Sequence, residues 1–286
     1  MKNIITKPKE QPRRCCSIII VGELINASIK PVRRAVMERD AGYLQDLARR
    51  QAAKGAHYLD VNVSTGRGDE NQEAEDMAWA VETVQAAVDL PIAIDTTSAA
   101  ALQAGLEAHR GEAMINSVSA EKERLEPFLD IAAGYGGPLA ALPVTDSGIP
   151  ATAEERLDVC RVIVDKAAAA GIDAARLYFD PLVLPLGVDH RNPGITLETL
   201  RGIKQIPEVK SIMGLSNVSY GLPKRQLINR AFLVLAAREG LDAVLLNPLD
   251  GGMMGSLLAA EALLGRDEMC MQLLRAYRKG LLDEGQ

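Results

Sequence analysis

The sequence predicts an α/β fold, a single (β/α)8 TIM barrel, from three observations. Strand-like apolar runs alternate with Ala- and Leu-rich helical stretches eight times along the chain. Several of these runs, such as the one around Val244, are apolar without interruption, which is typical of parallel strands buried on both faces. The composition does not change along the 286 residues, and a barrel of about 250 residues forms one domain. A doubly wound open sheet is the alternative architecture.

The predicted strands are separated by segments with helical periodicity. In the first such segment, Leu44, Leu47, Ala48 and Gln51 recur at helical spacing, and Gly55 is placed to end the helix. In chain order the predicted strands are Ser17–Asn26, His57–Ser64, Ile92–Ser98, Ala113–Val118, Leu139–Thr145, Arg176–Pro181, Lys210–Val218 and Ala243–Pro248.

The later helical segments carry further start and end signals. Thr152 and Glu155 form a capping-box pattern at the start of the fifth helical segment. Glu268–Leu282 predicts one extra C-terminal helix packed outside the barrel. Residues 1–16 are interpreted as an N-terminal tail, and residues 17–286 as the barrel domain.

Charge and cysteine content exclude several classes of protein. A net charge of −6 argues against a nucleic-acid surface, which needs clustered Lys and Arg. No apolar run reaches the ~18 residues of a membrane span, and none resembles a signal peptide. The four cysteines show no metal-site or disulfide spacing, so we expect a cytoplasmic protein with reduced thiols.

Polar residues stand at the ends of seven of the eight predicted strands, where a barrel builds its active site. An Asn or Asp at a strand end also has a purely local explanation, because it caps helices and shapes turns. The residues of this ring are Glu23, Asn26, Asp60, Asn62, Asp95, Asn116, Asp180, Ser216, Asn217 and Asn247.

The chemistry of the ring limits what it can bind. It contains no Cys nucleophile, no Lys for a Schiff base and no His for zinc or general-base chemistry. Two carboxylates are compatible with Mg²⁺, but amides are weak additional ligands, so no metal site is predicted. A neutral, planar ligand rich in donors and acceptors remains, and the amino-pyrimidinone edge of a pterin fits this requirement.

Seven segments of the sequence carry a resemblance to a known family. The chain resembles the pterin-binding methyltransferases, above all the branch that moves a methyl group between methyltetrahydrofolate and a corrinoid protein. The resemblance extends from about Ile19 to Gly265 in order and spacing. Its segments are GELIN (22–26), LDVNV (59–63), IAIDTT (92–97), MINSVSAE (114–121), FDPLVLP (179–185), GLSNVS (214–219) and RQLINRAF (225–232).

The resemblance implies a role for each position that matches a family motif. It implies that Asp95, Asn116 and Asp180 hold the pyrimidine edge of the pterin. It implies that Asn217 reaches N5, the methyl-bearing nitrogen, and acts in catalysis. The surrounding positions that it implies are Glu23, Asn26, Asp60 and Asn62 in the hydrogen-bond network, and Ser216 and Arg225 near the ligand or the mouth.

The resemblance also implies the reactants and partners. Tetrahydrofolate or methyltetrahydrofolate is the expected small-molecule substrate, cobalamin is carried by a partner corrinoid protein, and the family generally forms homodimers through its outer helices. Leu24 and Thr145 depart from the residues expected in the acetogenic branch. These departures favour methyl transfer from a methylcorrinoid to tetrahydrofolate, as in O-demethylation, although the direction stays open.

Two rival functions share the same expected pocket. A dihydropteroate synthase needs cationic groups for its pyrophosphate leaving group, and the last strand offers Leu246–Asp250 instead of an Arg/His pair. A non-catalytic folate-binding subunit binds the folate but does not turn over with free cob(I)alamin.

Overall fold

The eight strands close into a barrel in chain order, and every neighbouring pair is parallel. The computed structural model describes residues 18–66 and 70–282, so the predicted N-terminal tail lies outside the described residues. The barrel prediction is confirmed over the open sheet. The strands are β1 Ile19–Asn26, β2 Tyr58–Asn62, β3 Ile92–Asp95, β4 Met114–Ser119, β5 Leu139–Leu142, β6 Leu177–Phe179, β7 Lys210–Gly214 and β8 Ala243–Leu246.

Helices surround the barrel, with at least one after each strand. Short 3₁₀ helices occupy 174–176, 215–219 and 268–270. The α-helices are α1 Lys30–Glu38, α2 Ala41–Ala53, α3 Glu70–Gln85, α4 Ala99–Ala108, α5 Lys122–Ala133, α6 Ala153–Ala169, α7 Asn192–Ile203, α8 Arg225–Arg238, α9 Gly251–Leu263 and α10 Met271–Arg278. In the described part of the chain, none of these helices has the length and apolar character needed to cross a membrane.

The local helix signals hold in the structure. The Thr152 side chain accepts a hydrogen bond from the Glu155 N–H while Glu155 reaches back to the Thr152 N–H, which confirms the capping box of α6. Gly55 follows α2 with a φ of +97°, a conformation that favours glycine. The predicted C-terminal helix is present but shorter than expected, as the 3₁₀ turn at 268–270 and α10.

Most strands end earlier than the sequence predicted. The prediction that β7 runs to Val218 is wrong, because its pairing with β8 ends at Gly214 and Leu215–Ser219 forms a 3₁₀ helix. Elsewhere an Asn or Asp ends the strand by bonding its own chain. Asn62, for example, accepts a hydrogen bond from the N–H of Ser64 at 3.0 Å. Such a side chain diverts a backbone donor that the next ladder bond needs.

Side-chain alternation gives the barrel interior an apolar layer. Along each strand, successive side chains point to opposite faces of the sheet, so residues two apart share a face. The buried interior residues are Val21, Ala93, Met114, Ala140, Tyr178, Ile212 and Ala243, and Tyr58 packs against them. Larger apolar clusters fill the space between the strands and the surrounding helices.

Candidate active site

A polar layer stands two residues beyond the apolar interior layer, on the same inward face of the strands. It lies at the C-terminal ends of the strands, the end at which a (β/α)8 barrel carries its active site. The polar positions that follow from this spacing are Glu23 after Val21, Asp60 after Tyr58, Asp95 after Ala93, Asn116 after Met114 and Asp180 after Tyr178.

Asp60 and Asn116 form one amide–carboxylate pair within this layer. The Asn116 Nδ2 donates to Asp60 Oδ1 at 2.9 Å. Asp60 is only 2% exposed, and its burial, with the nearby charges of Asp95 and Glu23, raises its pKa above the ordinary value. Because Asp60 accepts from Nδ2, the Asn116 amide is oriented with its oxygen directed away from this pair.

Asn62 and Asp95 form the second pair. The Asn62 Nδ2 donates to Asp95 Oδ2 at 3.0 Å, while Asn62 Oδ1 accepts from the Ser64 N–H. Burial raises the pKa of Asp95, the Asn62 hydrogen bond opposes that rise, and the charge of Glu73 adds to it. Each pair therefore leaves one oxygen that accepts no hydrogen bond from the described residues. It is Asn116 Oδ1 in the first pair and Asp95 Oδ1 in the second.

Asp180 is held by backbone amides instead of an amide side chain. Its Oδ1 accepts from the Leu182 N–H at 2.7 Å, and its Oδ2 lies 3.4 Å from the Gly214 N. Burial raises its pKa to about 6, against the lowering effects of these two amides and of Arg156. At neutral pH the carboxyl is therefore ionised, and its Oδ2 keeps most of its accepting capacity.

Glu23, Ser216 and Arg225 form a connected group on the β1–β7 side of the mouth. The Ser216 hydroxyl donates to Glu23 Oε1 at 3.2 Å, and Arg225 Nη2 donates to the Ser216 carbonyl at 2.8 Å. Burial raises the pKa of Glu23, and Ser216 and then Arg225 oppose that rise. Asn26 makes a local hydrogen bond instead, because its Oδ1 accepts from the Ser28 N–H at 2.9 Å.

Asn217 differs from the other predicted site residues. It is exposed on the 3₁₀ helix after β7, and its backbone carbonyl accepts from the Tyr220 N–H at 3.0 Å. Within 18–66 and 70–282, no protein group is hydrogen-bonded to its side-chain amide. The structure therefore connects Glu23, Asp60, Asn62, Asp95, Asn116, Ser216 and Arg225 into two pairs and a triad. It holds Asp180 and Asn26 by backbone amides and leaves the Asn217 amide open to solvent.

Two buried polar residues behind the mouth were missed by the sequence analysis as site residues. Gln51 was counted only as part of a helix face, yet its Oε1 accepts from the Leu24 N–H at 3.1 Å and supports the β1 irregularity that carries Glu23. Arg156 is fully buried on α6 and donates to loop carbonyls beside Asp180. The signal was helical spacing, because Arg156 lies between Ala153 and Cys160 on the buried face.

Leu24 and Thr145, which depart from the acetogenic branch, and two of the histidines have structural explanations. Leu24 packs against the apolar cluster outside the strands, and Thr145 closes a turn with Gly148 through paired backbone hydrogen bonds. His57 and His109 each accept a backbone N–H at the opposite end of the barrel, from Ile20 at 2.9 Å and Ile92 at 3.1 Å. In the described residues, no group of three or more His, Cys, Asp or Glu side chains is arranged to hold a metal ion.

Comparisons with known proteins identify a matching family and sequence relatives of this chain. The family described as "Pterin binding enzyme" matches residues 22–247. The chain is 32% identical over 266 residues to the methylcorrinoid:tetrahydrofolate methyltransferase of Eubacterium limosum, covering 92% of this chain and 97% of that protein. It is 32% identical over 246 residues to the methionine synthase of Mycobacterium tuberculosis, covering 81% of this chain but 20% of that longer protein.

Solved structures share the same fold. A dihydropteroate synthase from Xanthomonas albilineans in complex with 7,8-dihydropteroate gives a TM-score of 0.65 at 20% identity, covering 87% of this chain and 94% of that chain. The dihydropteroate synthase of Yersinia pestis gives a TM-score of 0.65 at 18% identity, covering 88% and 94%. At these identities the likeness establishes the common fold alone.

Proposed function

Because this chain belongs to the pterin-binding enzyme family, we propose that it is a methyltransferase acting between the N5 of tetrahydrofolate and the cobalt of a corrinoid. Tetrahydrofolate or methyltetrahydrofolate is the small-molecule substrate, and the corrinoid is a substrate carried by a partner protein. The match to the Eubacterium limosum methyltransferase supports this reaction, since it covers nearly the full length of both proteins.

The observation that carries the pterin assignment is the set of acceptors that the polar layer leaves available. The available atoms are Asp95 Oδ1, Asn116 Oδ1 and Asp180 Oδ2. The other polar atom of each of these side chains is hydrogen-bonded, to Asn62, Asp60 and the Leu182 N–H respectively. The pyrimidine edge of a pterin presents adjacent N–H groups, which need such acceptors. Hydrogen bonds to ionised carboxylates are about twice as strong as neutral ones, so this layer can anchor a neutral ring.

Asn217 is the proposed catalytic residue. When the methyl group moves to tetrahydrofolate, the N5 lone pair bonds to the methyl carbon, the cobalt–carbon bond breaks with its electron pair left on cobalt, and the N5 proton is released. In the reverse direction N5 must be protonated before it can leave. The amide of Asn217 can hydrogen-bond to N5 in both protonation states, since it both donates and accepts. It acts by stabilising the charge that develops on N5 in the transition state.

The exposure of Asn217 is compatible with a large methyl donor or acceptor. Its amide faces solvent at the mouth, so a corrinoid carried by another protein can approach N5 without displacing a buried side chain. Glu23, whose pKa is raised by burial, is the proposed proton carrier, and its hydrogen bond from the Ser216 hydroxyl supports this role. The remaining carboxylates hold the ring and are not required to titrate during the transfer.

We propose methyl transfer from the methylcorrinoid to tetrahydrofolate as the physiological direction. The name of the Eubacterium limosum relative specifies this direction, and the apolar Leu24 in place of a basic residue agrees with it. A homodimer and a cytoplasmic location are part of the same proposal. Leu227, at 70% exposure, and Leu235, at 52%, leave apolar surface on the outer helix α8.

An anaerobic spectroscopic assay tests the function in both directions. The protein is mixed with methylcobalamin and tetrahydrofolate, or with cob(I)alamin and methyltetrahydrofolate, and the visible spectrum is followed. We expect enzyme-dependent interconversion of the methylcobalamin and cob(I)alamin spectra, and Asp180→Asn serves as the site-impaired control. Light scattering after size exclusion tests the dimer.

The failed outcomes separate the alternatives. Folate binding by calorimetry without conversion, even with a protein-bound corrinoid, would indicate a binding subunit. Binding of a pterin pyrophosphate with turnover of aminobenzoate would indicate a dihydropteroate synthase. The proposed function is wrong if neither tetrahydrofolate nor methyltetrahydrofolate binds.

A further inference from the structure

Arg156 is a fully buried arginine that binds three carbonyl groups around the Asp180 loop. Its Nη1 donates to the carbonyls of Pro181 at 2.8 Å and Leu182 at 2.9 Å, and its Nε donates to that of Pro150 at 3.1 Å. The side chain comes from α6 and therefore links the loop after β5 to the loop after β6. Both loops follow strands at the end of the barrel that carries the polar layer.

Arg156 and Asp180 hold the same residue from its two ends. The Leu182 N–H donates to Asp180 Oδ1, and the Leu182 carbonyl accepts from Arg156 and lies 3.1 Å from the Thr196 hydroxyl. Leu182 has a φ of +61°, in the left-handed region that costs a branched side chain roughly 1–2 kcal/mol. These contacts keep Leu182 in that conformation, and the conformation aims its N–H at the Asp180 carboxylate.

Burial of Arg156 is not explained by packing alone. Its Nη2 is buried and has no hydrogen-bond partner among the described residues, which destabilises the fold. The hydrogen bonds of Nη1 and Nε to three loop carbonyls are therefore the contacts that hold this buried guanidinium in place. In the described structure, the groups that act on Asp180 are the amides of Leu182 and Gly214 and the charge of Arg156.

We infer that Arg156 is a positioning residue for pterin recognition, which fixes the Pro181–Leu182 turn and holds a positive charge behind the loop that carries Asp180. This inference rests on the proposed function, because it assigns Asp180 to the pterin edge. Arg156 itself stays behind the loop and binds no substrate atom. It acts through Asp180, whose pKa it lowers against the larger effect of burial.

Arg176, directly before β6, provides a matched control. It lies at the opposite end of β6 from Asp180, and its guanidinium also binds three carbonyls, that of Ala132 in α5 and those of Tyr135 and Gly137 in the following loop. Burial lowers its pKa, as burial lowers that of Arg156. Arg176→Gln therefore removes a comparable carbonyl-binding cation without touching the polar layer.

Two measurements test the inference on the full chain. The titration of Asp180 is followed by carboxyl ¹³C NMR in the ligand-free protein and assigned with Asp180→Asn. The affinity for tetrahydrofolate is measured by calorimetry between pH 5 and 8. We expect Arg156→Gln to move the Asp180 midpoint up by about one pH unit and to weaken binding at pH 7 by about 10-fold. Arg176→Gln lowers the melting temperature but leaves both quantities within error of the wild type.

Arg156→Lys separates charge from geometry and is the fallback if Arg156→Gln does not fold. A lysine keeps the charge but cannot bridge three carbonyls in a fixed plane, so we expect a nearly unchanged midpoint and binding weakened about 3-fold or more. Wild-type affinity in the folded Lys variant would overturn the bridging role. An unmoved midpoint in Arg156→Gln would overturn the electrostatic one.

Failure of the inference and failure of the proposed function give different results. If the wild type does not bind tetrahydrofolate, the proposed function fails, yet the NMR midpoints still decide whether Arg156 controls Asp180. If the wild type binds and both Arg156 variants behave as Arg176→Gln does, Arg156 is a structural residue and the inference is wrong.

Discussion

Substituting Asp180 by asparagine should stabilise the ligand-free protein at neutral pH while weakening its binding of the pterin. Burial raises the pKa of Asp180 from an ordinary value of 3.8 to about 6. A shift of about two units means that the ionised form is roughly 3 kcal/mol less favourable in the fold than in the unfolded chain. A neutral amide removes that term, because it resembles the protonated carboxyl.

One loss reduces the gain in stability from this substitution. The side-chain amide of the Asp180→Asn variant presents a donor to the Gly214 N–H, so the long contact from Oδ2 is lost, at a cost of about 1 kcal/mol. The attraction of Arg156 for the carboxylate is already contained in the pKa of about 6, so its loss needs no further subtraction. We therefore expect Asp180→Asn to raise the free energy of unfolding by roughly 1–2 kcal/mol at pH 7.5, or about 3 °C in melting temperature.

The pH dependence identifies the cause. Since the folded pKa of Asp180 is raised, its contribution to stability is present in full below 3.8 and is lost as the pH rises through about 6. At pH 5 the carboxyl is protonated in the folded protein and ionised in the unfolded chain. The free energy of unfolding of the wild type is therefore roughly 1 kcal/mol higher at pH 5 than at pH 7.5. The advantage of the variant should therefore shrink by that amount between pH 7.5 and pH 5.

Thermal melts of the ligand-free proteins at pH 7.5 and pH 5 check this prediction, with Asp165→Asn as the control. Asp165 is exposed on the outer side of α6, so its substitution should leave the pH dependence of melting unchanged. The reasoning is refuted if Asp180→Asn melts below the wild type at both pH values, or if its advantage is the same at both. Calorimetry should show at least about 10-fold weaker tetrahydrofolate binding by the variant, because one acceptor becomes a donor.

Three further substitutions test other parts of the site. Asn217→Ala should slow methyl transfer by about 10²-fold with an unchanged melting temperature, because the side chain is exposed, and unchanged turnover would remove it from the mechanism. Asp60→Leu should weaken tetrahydrofolate binding by about 10-fold, because the amide of Asn116 loses the acceptor that orients it; calorimetry showing wild-type affinity would contradict this role. Gly22→Ala should lower the melting temperature by several degrees, because the new Cβ would lie 2.5 Å from Gln51 Oε1, and a wild-type melt would show that Gln51 can move.

The sequence was sufficient to predict the barrel and the position of the polar layer. Alternating apolar runs are local signals, and strand ends in a barrel meet at one face, so Asp60, Asp95 and Asn116 could be grouped without coordinates. The partners of these residues could not be predicted, because they depend on pairing across strands. Ser216 bonds to Glu23 across 193 positions of sequence, and no spacing rule connects them.

Strand length and the role of Arg156 were beyond local reasoning for different physical reasons. Periodicity continues past the last ladder bond, so it extended β7 through Val218 although pairing with β8 stops at Gly214. A charged residue on a helix is ordinarily exposed, so Arg156 drew no attention. Its place on the buried face of α6 was visible in the spacing, but the carbonyls that it binds belong to loops whose conformation the sequence does not specify.

The observed role of an Asn or Asp at a strand end, forming a turn, is compatible in this site with its proposed role of holding a ligand. Asp180 Oδ1 accepts from the Leu182 N–H, and this hydrogen bond forms the turn that ends β6. Its Oδ2 has only a long contact with the Gly214 N and can still accept a hydrogen bond. Asn62 accepts from the Ser64 N–H through its oxygen and donates to Asp95 through its nitrogen. The turn that ends β2 therefore also fixes a carboxylate of β3. The atoms left over are acceptors because the protein itself supplies the donors. Under the proposed function, the turns that stop the strands thereby favour a ligand edge that carries N–H groups. A ligand presenting only acceptors at that edge would leave the carboxylates buried and unpaired.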